Sequence, residues 1–401
     1  MKIKTIILIC GILPIATWAK TPLILLSIDG FAQHYIERYQ PKTILSLIKQ
    51  GTSAKALLPV YPSKTFPNHV SIITGRYPIN HGILHNEFYH RDLGKVYQVG
   101  AGKDEPHWLT AEPLWHINEA QGNISAVYFW PESETPVNNK MPSYYYPYQH
   151  FTENQVRLQQ IINWLRLPED TRPNFISAYF ASIDDAGHSY GEDSIQLRNA
   201  IKEFDQLLAD FIQLLHQEFA NQVNLVIVSD HGMTKINLEH VINWRDQIPQ
   251  GVTVVNGSTQ LYLYSEDKAQ LQQSLEQFKQ GQFQGQNKRY NVYTFPNYPE
   301  HWHLNQEHAA VPDAIIDALP SYIFSKGQGA VDPATHGYDP RLSAALNAIF
   351  IAVGPAFAPN QVINAFENIQ VLPILTRALG LKDLDNIDGN YKIAEQIVKT
   401  N

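Results

Sequence analysis

Five short apolar runs, separated by helical patterns, constrain the fold more than any other feature of this chain. Residues 22–28 (PLILLSI), 124–129, 175–180, 225–229 and 348–353 are hydrophobic stretches of strand length. A strand with one wetted face alternates apolar and polar residues, so a run without alternation reads as buried on both faces. Between them lie helical patterns over Thr43–Gln50, Pro113–Ala120, Glu153–Leu165 and the long Ile195–Phe219. Strands alternating with helices predict an α/β chain whose mostly parallel sheet is sandwiched by helices. Ligands of such sheets bind at the carboxyl ends of the strands.

The stretch from about 253 to 319 breaks this rhythm. It holds an alternating strand at Gln260–Tyr264, a polar helix and a run rich in His, Asn and Pro. It reads as a smaller insertion in one catalytic domain covering 20–401. Residues 1–19 read as a signal peptide. Lys2 and Lys4 precede an apolar run over Ile6–Ile15, and Thr17-Trp18-Ala19 offers a cleavage site after Ala19. A periplasmic or secreted location follows, with no stable membrane insertion once the segment is cleaved, because the run is too short to span a bilayer. The only cysteine, Cys10, lies inside this segment, so the mature chain depends on its core rather than on disulfides.

The formal net charge is -8, from 30 basic and 38 acidic residues. That balance argues against a binder of duplex nucleic acid, which needs a basic face. A small anionic substrate remains compatible, because bound metal ions supply positive charge locally. No protein partner is indicated.

Asp and His residues gather where the apolar runs end: Asp29 after the first, Asp184 and His188 (DDAGH) after the third, Asp230 and His231 (SDHG) after the fourth, and His336 in THGYD. Imidazole nitrogen and carboxylate oxygen together suit zinc. Adjacent side chains in a strand point to opposite faces. Gly232 therefore reads as the turn that lets Asp230 and His231 converge, and Gly187 and Gly337 as similar bends. Thr65, in PSKTFPNHV, sits near the start of an apolar-periodic helix, where free N–H groups favour an anion. By position alone it reads slightly better as a helix N-cap than as a hydroxyl facing a bound anion.

The segments SIDGF (27–31), YPSKTFPNHVSIITGRYPINHGI (61–83), FWPES (129–133), DDAGHSYG (184–191), VSDHGM (228–233), PEHWH (299–303) and THGYDP (335–340) resemble the nucleotide pyrophosphatase/phosphodiesterase family of the alkaline phosphatase superfamily. They follow the family's order across nearly the whole chain. The resemblance implies an alkaline-phosphatase-like fold and a cofactor of two zinc ions. One would be held by Asp29, Thr65, Asp230 and His231, the other by Asp184, His188 and His336. It also implies two in-line displacements through a covalent phospho-Thr65 intermediate, releasing nucleoside monophosphates. Asn86 and the Phe66 amide would bind phosphate oxygens, and the rings of Phe66 and Tyr148 would enclose a nucleobase. Without the resemblance, the tyrosine cluster at 144–148 reads as surface packing, and His69, His81, His85, His301 and His303 have no assigned role.

Two positions depart from the family pattern. Glu132 stands where FWPGS has glycine, which places a negative charge at the expected pocket rim, and Pro340 stands where Asn is usual. Related enzymes also include lysophospholipid and glycerophosphodiester phosphodiesterases. A phosphomonoesterase is a further alternative, marked by a basic residue in the pocket; no obvious candidate stands out, and Lys64 is the one left open. A sulfatase is disfavoured, because Thr65 lacks the Cys or Ser that conversion to an aldehyde needs.

Overall fold

In the computed structural model, which describes residues 20–220, 222–327 and 331–399, the first apolar run forms the strand Leu23–Ile28 (β1), buried along its whole length. The targeting segment read from the sequence lies outside the described residues. β1 sits inside an eight-stranded sheet with Thr52–Ala54 (β2), Ser125–Tyr128 (β3), Tyr144–Tyr146 (β4), Phe175–Phe180 (β5), Asn224–Val228 (β6), Phe350–Val353 (β7) and Gln361–Ile363 (β8). The spatial order is β8-β2-β7-β6-β1-β5-β3-β4. Five of the seven pairings are parallel; the two made by β7 are antiparallel.

Alternate side chains of β1 enter different cores, which explains its unbroken apolar sequence. Ile24, Leu26 and Ile28 join one cluster, together with Ile161 and Ile162 of the helix Asn154–Leu165 and residues of Ile195–Phe219. Leu23 and Leu25 join a second, with Leu114, Trp115, Ile72 and Leu372. The long helix buries Leu197, Ile201, Phe204, Leu208, Phe211 and Leu215, at alternating spacings of four and three. It starts at Ser194, whose Oγ accepts the Leu197 amide at 3.1 Å.

Strands Thr253–Asn256, Gln260–Tyr264, Ala314–Ala318 and Tyr290–Thr294 form a separate antiparallel sheet. The helix Lys268–Gln280 packs on it through Leu275 and Phe278. Among the described residues, no helix is long and apolar enough to cross a membrane.

Candidate functional site

β1, β5 and β6 run parallel and level, with Ile28 opposite Phe180 and Ser27 opposite Val228. Their carboxyl ends therefore open onto one edge. Asp29 leaves β1 with its amide still bonded to Phe180 O at 2.9 Å. Asp230 and His231 follow β6, and His231 Nε2 lies 2.9 Å from Asp230 Oδ2 and 3.5 Å from Asp29 Oδ1. All three residues are buried, with donor atoms within 4.8 Å of one another.

Asp184, His188 and His336 form a second such group. Here the structure corrects the reading of Gly187 as a bend. Asp184 and His188 lie within the helix Ser182–Tyr190, four residues apart and so on one face, with His188 Nε2 3.6 Å from Asp184 Oδ2. His336 arrives from across the fold, its Nε2 3.8 Å from Asp184 Oδ1. It follows the two-residue strand Ala334–Thr335, and Gly337 then turns at φ +113. The rings of His231 and His336 stack at 3.6 Å, so the two groups adjoin.

A ring of neighbouring oxygens orients the three histidines. His336 Nδ1 lies 2.8 Å from Ser63 O, His231 Nδ1 3.0 Å from Gly232 O, and His188 Nδ1 3.3 Å from the Asp332 carboxylate. Each Nε2 is thereby left facing the carboxylates, the arrangement by which outer partners fix the tautomer of a ligating imidazole. Tyr179 donates to Asp29 Oδ2 at 2.6 Å. His69, without a role in the sequence reading, is fully buried here. Its Nδ1 lies 2.9 Å from Thr65 O and 3.3 Å from Asp230 Oδ2, and its Nε2 2.7 Å from Ser27 Oγ. Ser27, a lone hydroxyl in an apolar run, was the sequence signal for this contact. Asp332 had none.

The chemistry of both groups fits a bound cation. Asp29 Oδ1, Asp184 Oδ1 and Asp230 Oδ2 are buried without a hydrogen-bond partner, a costly state for an anionic oxygen. Burial, then the Asp230 and Asp184 carboxylates, pushes the Asp29 carboxyl well above its ordinary range. Burial, then the stacked His231, holds His336 well below its ordinary value, which favours the neutral imidazole that binds metals.

Thr65 opens the helix Thr65–Thr74 as its first residue, with Lys64 at the cap position, so it is not the N-cap. Its Oγ instead lies 3.3 Å from His231 Nε2, beside the first group. It also faces a cleft of about 410 Å³ shared with Asp29, Asp184, Phe66, Asn86 and Tyr148. The Phe66 amide donates to Asn86 Oδ1 at 3.0 Å, which leaves the Asn86 Nδ2 as a donor for a ligand. Tyr148 is 45% exposed and sets its ring edge-on to Phe129 at 5.3 Å.

Two further expectations change. Lys64 does not line the cleft; it is buried, donates to His336 O at 3.0 Å, and burial pulls its pKa down to about 7. The cleft's basic residue is Lys103. Glu132 borders the cleft, but its carboxyl is turned into the wall and only 4% exposed, so it is not a free charge at the rim. His81 and His85 are buried structural residues bonded to Ser71 and Gln260, and His301 pairs with Asp339.

A family model described as type I phosphodiesterase / nucleotide pyrophosphatase matches residues 23–339. A venom phosphodiesterase of Macrovipera lebetinus is 31% identical over 394 residues, covering 95% of this chain and 45% of that protein. Ectonucleotide pyrophosphatase/phosphodiesterase family member 3 of Mus musculus is 30% identical over 398 residues, covering 94% and 44%. An uncharacterized pyrophosphatase/phosphodiesterase of Schizosaccharomyces pombe is 30% identical over 396 residues, covering 93% and 79%. The chain spans about half the length of the curated relatives it matches first. Among solved structures, murine ectonucleotide pyrophosphatase/phosphodiesterase 5 superposes with a TM-score of 0.86 at 25% identity, over 94% of this chain and 100% of that one. An inactive threonine-to-alanine form of the murine protein, in complex with AMP, superposes with a TM-score of 0.85.

Proposed function

This chain belongs to the type I phosphodiesterase / nucleotide pyrophosphatase family, and on that premise we propose that it is an exported two-zinc hydrolase of nucleotide phosphodiester and pyrophosphate bonds, acting through Thr65. Its α/β architecture is the alkaline-phosphatase-like one of its structural relatives. The observation that carries the proposal is the pair of Asp/His groups meeting at one sheet edge, with the Thr65 hydroxyl 3.3 Å from one of them.

Asp29, Asp230, His231 and Thr65 would hold one ion, and Asp184, His188 and His336 the other. Two ions there would supply Lewis-acid charge, easing deprotonation of the attacking hydroxyl and stabilising the departing oxygen. The chain's own residues do the rest. Thr65 sits at a helix N-terminus, where the dipole favours the substrate's anionic phosphoryl group. Its Oγ attacks phosphorus as the bond to the leaving oxygen breaks, giving a nucleotidyl ester on Thr65. A water oxygen then replaces Thr65 at phosphorus, the nucleoside monophosphate departs, and the hydroxyl regains its proton. Asn86 Nδ2 is placed to donate to a phosphoryl oxygen, held in position by the Phe66 amide that donates to its Oδ1, and His69 steadies the Thr65 carbonyl. The Phe66 and Tyr148 rings offer stacking surface to a base. The murine relative bound to AMP supports both parts of this reading, since its threonine-to-alanine form is the inactive one.

The catalytic unit in this proposal is 20–401, with about 253–319 inserted, following export and cleavage after Ala19. A substrate panel tests the function: p-nitrophenyl phosphate, p-nitrophenyl thymidine monophosphate, ATP, NAD and a lysophosphatidylcholine. The nucleotide diesters and pyrophosphates should be turned over fastest. Faster turnover of the lysophospholipid would overturn the nucleotide assignment, and faster turnover of p-nitrophenyl phosphate the diesterase itself.

A further inference from the structure

Glu132 occupies a position that suits it poorly on two counts. Its φ is +62, in the left-handed region where glycine is at ease and a Cβ is not, and glycine is what the family motif has there. Its carboxyl is also almost wholly buried, and burial pushes its pKa up. A buried carboxyl is tolerated only where donors satisfy it, and here two do. The Tyr97 hydroxyl donates to Oε1 and the Thr135 hydroxyl to Oε2. Hydroxyl bonds to a carboxylate belong to the stronger, charge-assisted class.

The donors come from different segments. Tyr97 lies on the strand Lys95–Gln98, fully buried, stacked on Phe88 at 4.9 Å and edge-on to Trp108 at 5.3 Å. Thr135 closes the turn that Glu132 begins, its amide bonding to Glu132 O at 3.1 Å. Between them Gly102 passes so near the carboxyl that a Cβ there would collide with Glu132 and Thr135. Val99, Gly100 and Lys103 of the first segment line the same cleft as Phe129 and Glu134 of the second. The two segments are thus two parts of one wall, and Glu132 is the side chain that bridges them.

We propose that Glu132 is a positioning residue that clamps the segment 97–103 onto the loop 129–135 and so sets the width of the cleft where the nucleoside binds. The proposal rests on the nucleotide reading of the cleft for its consequence, but not for the clamp itself. Replacing Glu132 with glycine removes the clamp while relieving the backbone, so the variant keeps its fold. Glutamine keeps the length, with its Oε1 accepting from one hydroxyl and its NH2 donating to the oxygen of the other.

The test combines hydrogen–deuterium exchange with kinetics on Glu132→Gly, Glu132→Gln and Tyr97→Phe. In Glu132→Gly, amides in 97–103 should exchange faster than in the wild type. KM for p-nitrophenyl thymidine monophosphate should rise by about tenfold, the equivalent of about 1.4 kcal/mol. It should rise more than KM for methyl p-nitrophenyl phosphate, a diester without a base, and more than kcat falls. Glu132→Gln should restore most of both signals, and Tyr97→Phe should show part of the loss. Unchanged exchange in Glu132→Gly would overturn the clamp, and equal losses on both diesters would overturn its role in the nucleoside subsite. Should the wild type cleave no nucleotide, the proposed function fails, and exchange in 97–103 still decides whether Glu132 holds the wall.

Discussion

Replacing Asp317 with asparagine tests how the second sheet supports the candidate site. Asp317 is fully buried in the strand Ala314–Ala318. Its Oδ1 accepts from Tyr61 Oη at 3.1 Å and from Gln260 Nε2 at 2.9 Å. Gln260 Nε2 also reaches Gly337 O at 2.7 Å, beside His336, and Tyr61 stacks on Trp302 at 3.6 Å. Burial raises the Asp317 carboxyl to about 8, from an ordinary value of 3.8. The folded chain therefore keeps a proton that the unfolded chain has released through most of that window. Stability tied to this group is full below the unfolded value and falls as pH rises, by about 1.4 kcal/mol per pH unit, until the folded carboxyl ionises near 8. Asparagine has the shape of the protonated acid, keeps the Oδ1 acceptor and does not titrate. Urea melts of the metal-stripped wild type and Asp317→Asn at several pH values isolate this group, since other titrations cancel in the difference. From pH 5 to pH 8 the variant should gain on the wild type by on the order of 4 kcal/mol. A pH-independent difference, or a gain toward low pH, would refute the reasoning by showing that Asp317 is ionised in the fold.

Chelation should abolish activity and added zinc restore it, with metal analysis finding one ion fewer in His336→Ala and in Asp230→Ala; a fully active metal-free protein would contradict this. Asp332→Asn should weaken the ion at His188 by about 10–100-fold, the usual effect of losing an outer partner, read by competition with a chromogenic chelator. Unchanged affinity would leave Asp332 a bystander. Tyr148→Ala should raise KM roughly tenfold for thymidine and adenosine substrates alike; an equal rise for an alkyl glycerophosphodiester would indicate general disruption of the pocket.

The central strands were legible because burial on both faces leaves an unbroken apolar run: the run 175–180 was delimited to the residue, and 22–28 to within one. The edge strand Gln361–Ile363 and its neighbour Thr52–Ala54 escaped because three residues carry no period. Helix Ser182–Tyr190 was missed for another reason. Its sequence, SIDDAGHSY, buries only Ile183, Ala186 and Gly187 and gives the neighbouring face to Asp184 and His188, so too little apolar stripe is left to show the helix's period. The two Asp/His groups could be anticipated from residue type at strand ends, but their supports could not. Ser63 O, Gly232 O and Thr65 O act through backbone atoms, and Asp332 is one exposed acid among many. The carboxyl of Glu132 went the other way: its departure from the family motif was visible, while the partners that turn it into the wall lie 35 and 3 residues away.

The stereochemical course at phosphorus tests the central claim most directly. A nucleoside phosphorothioate diester of known configuration, hydrolysed in isotopically labelled water, reports the configuration of the released phosphorothioate. Attack by Thr65 followed by attack of water inverts phosphorus twice, so net retention is the predicted result. Net inversion would mean that water attacks the substrate directly, and that Thr65 is no nucleophile.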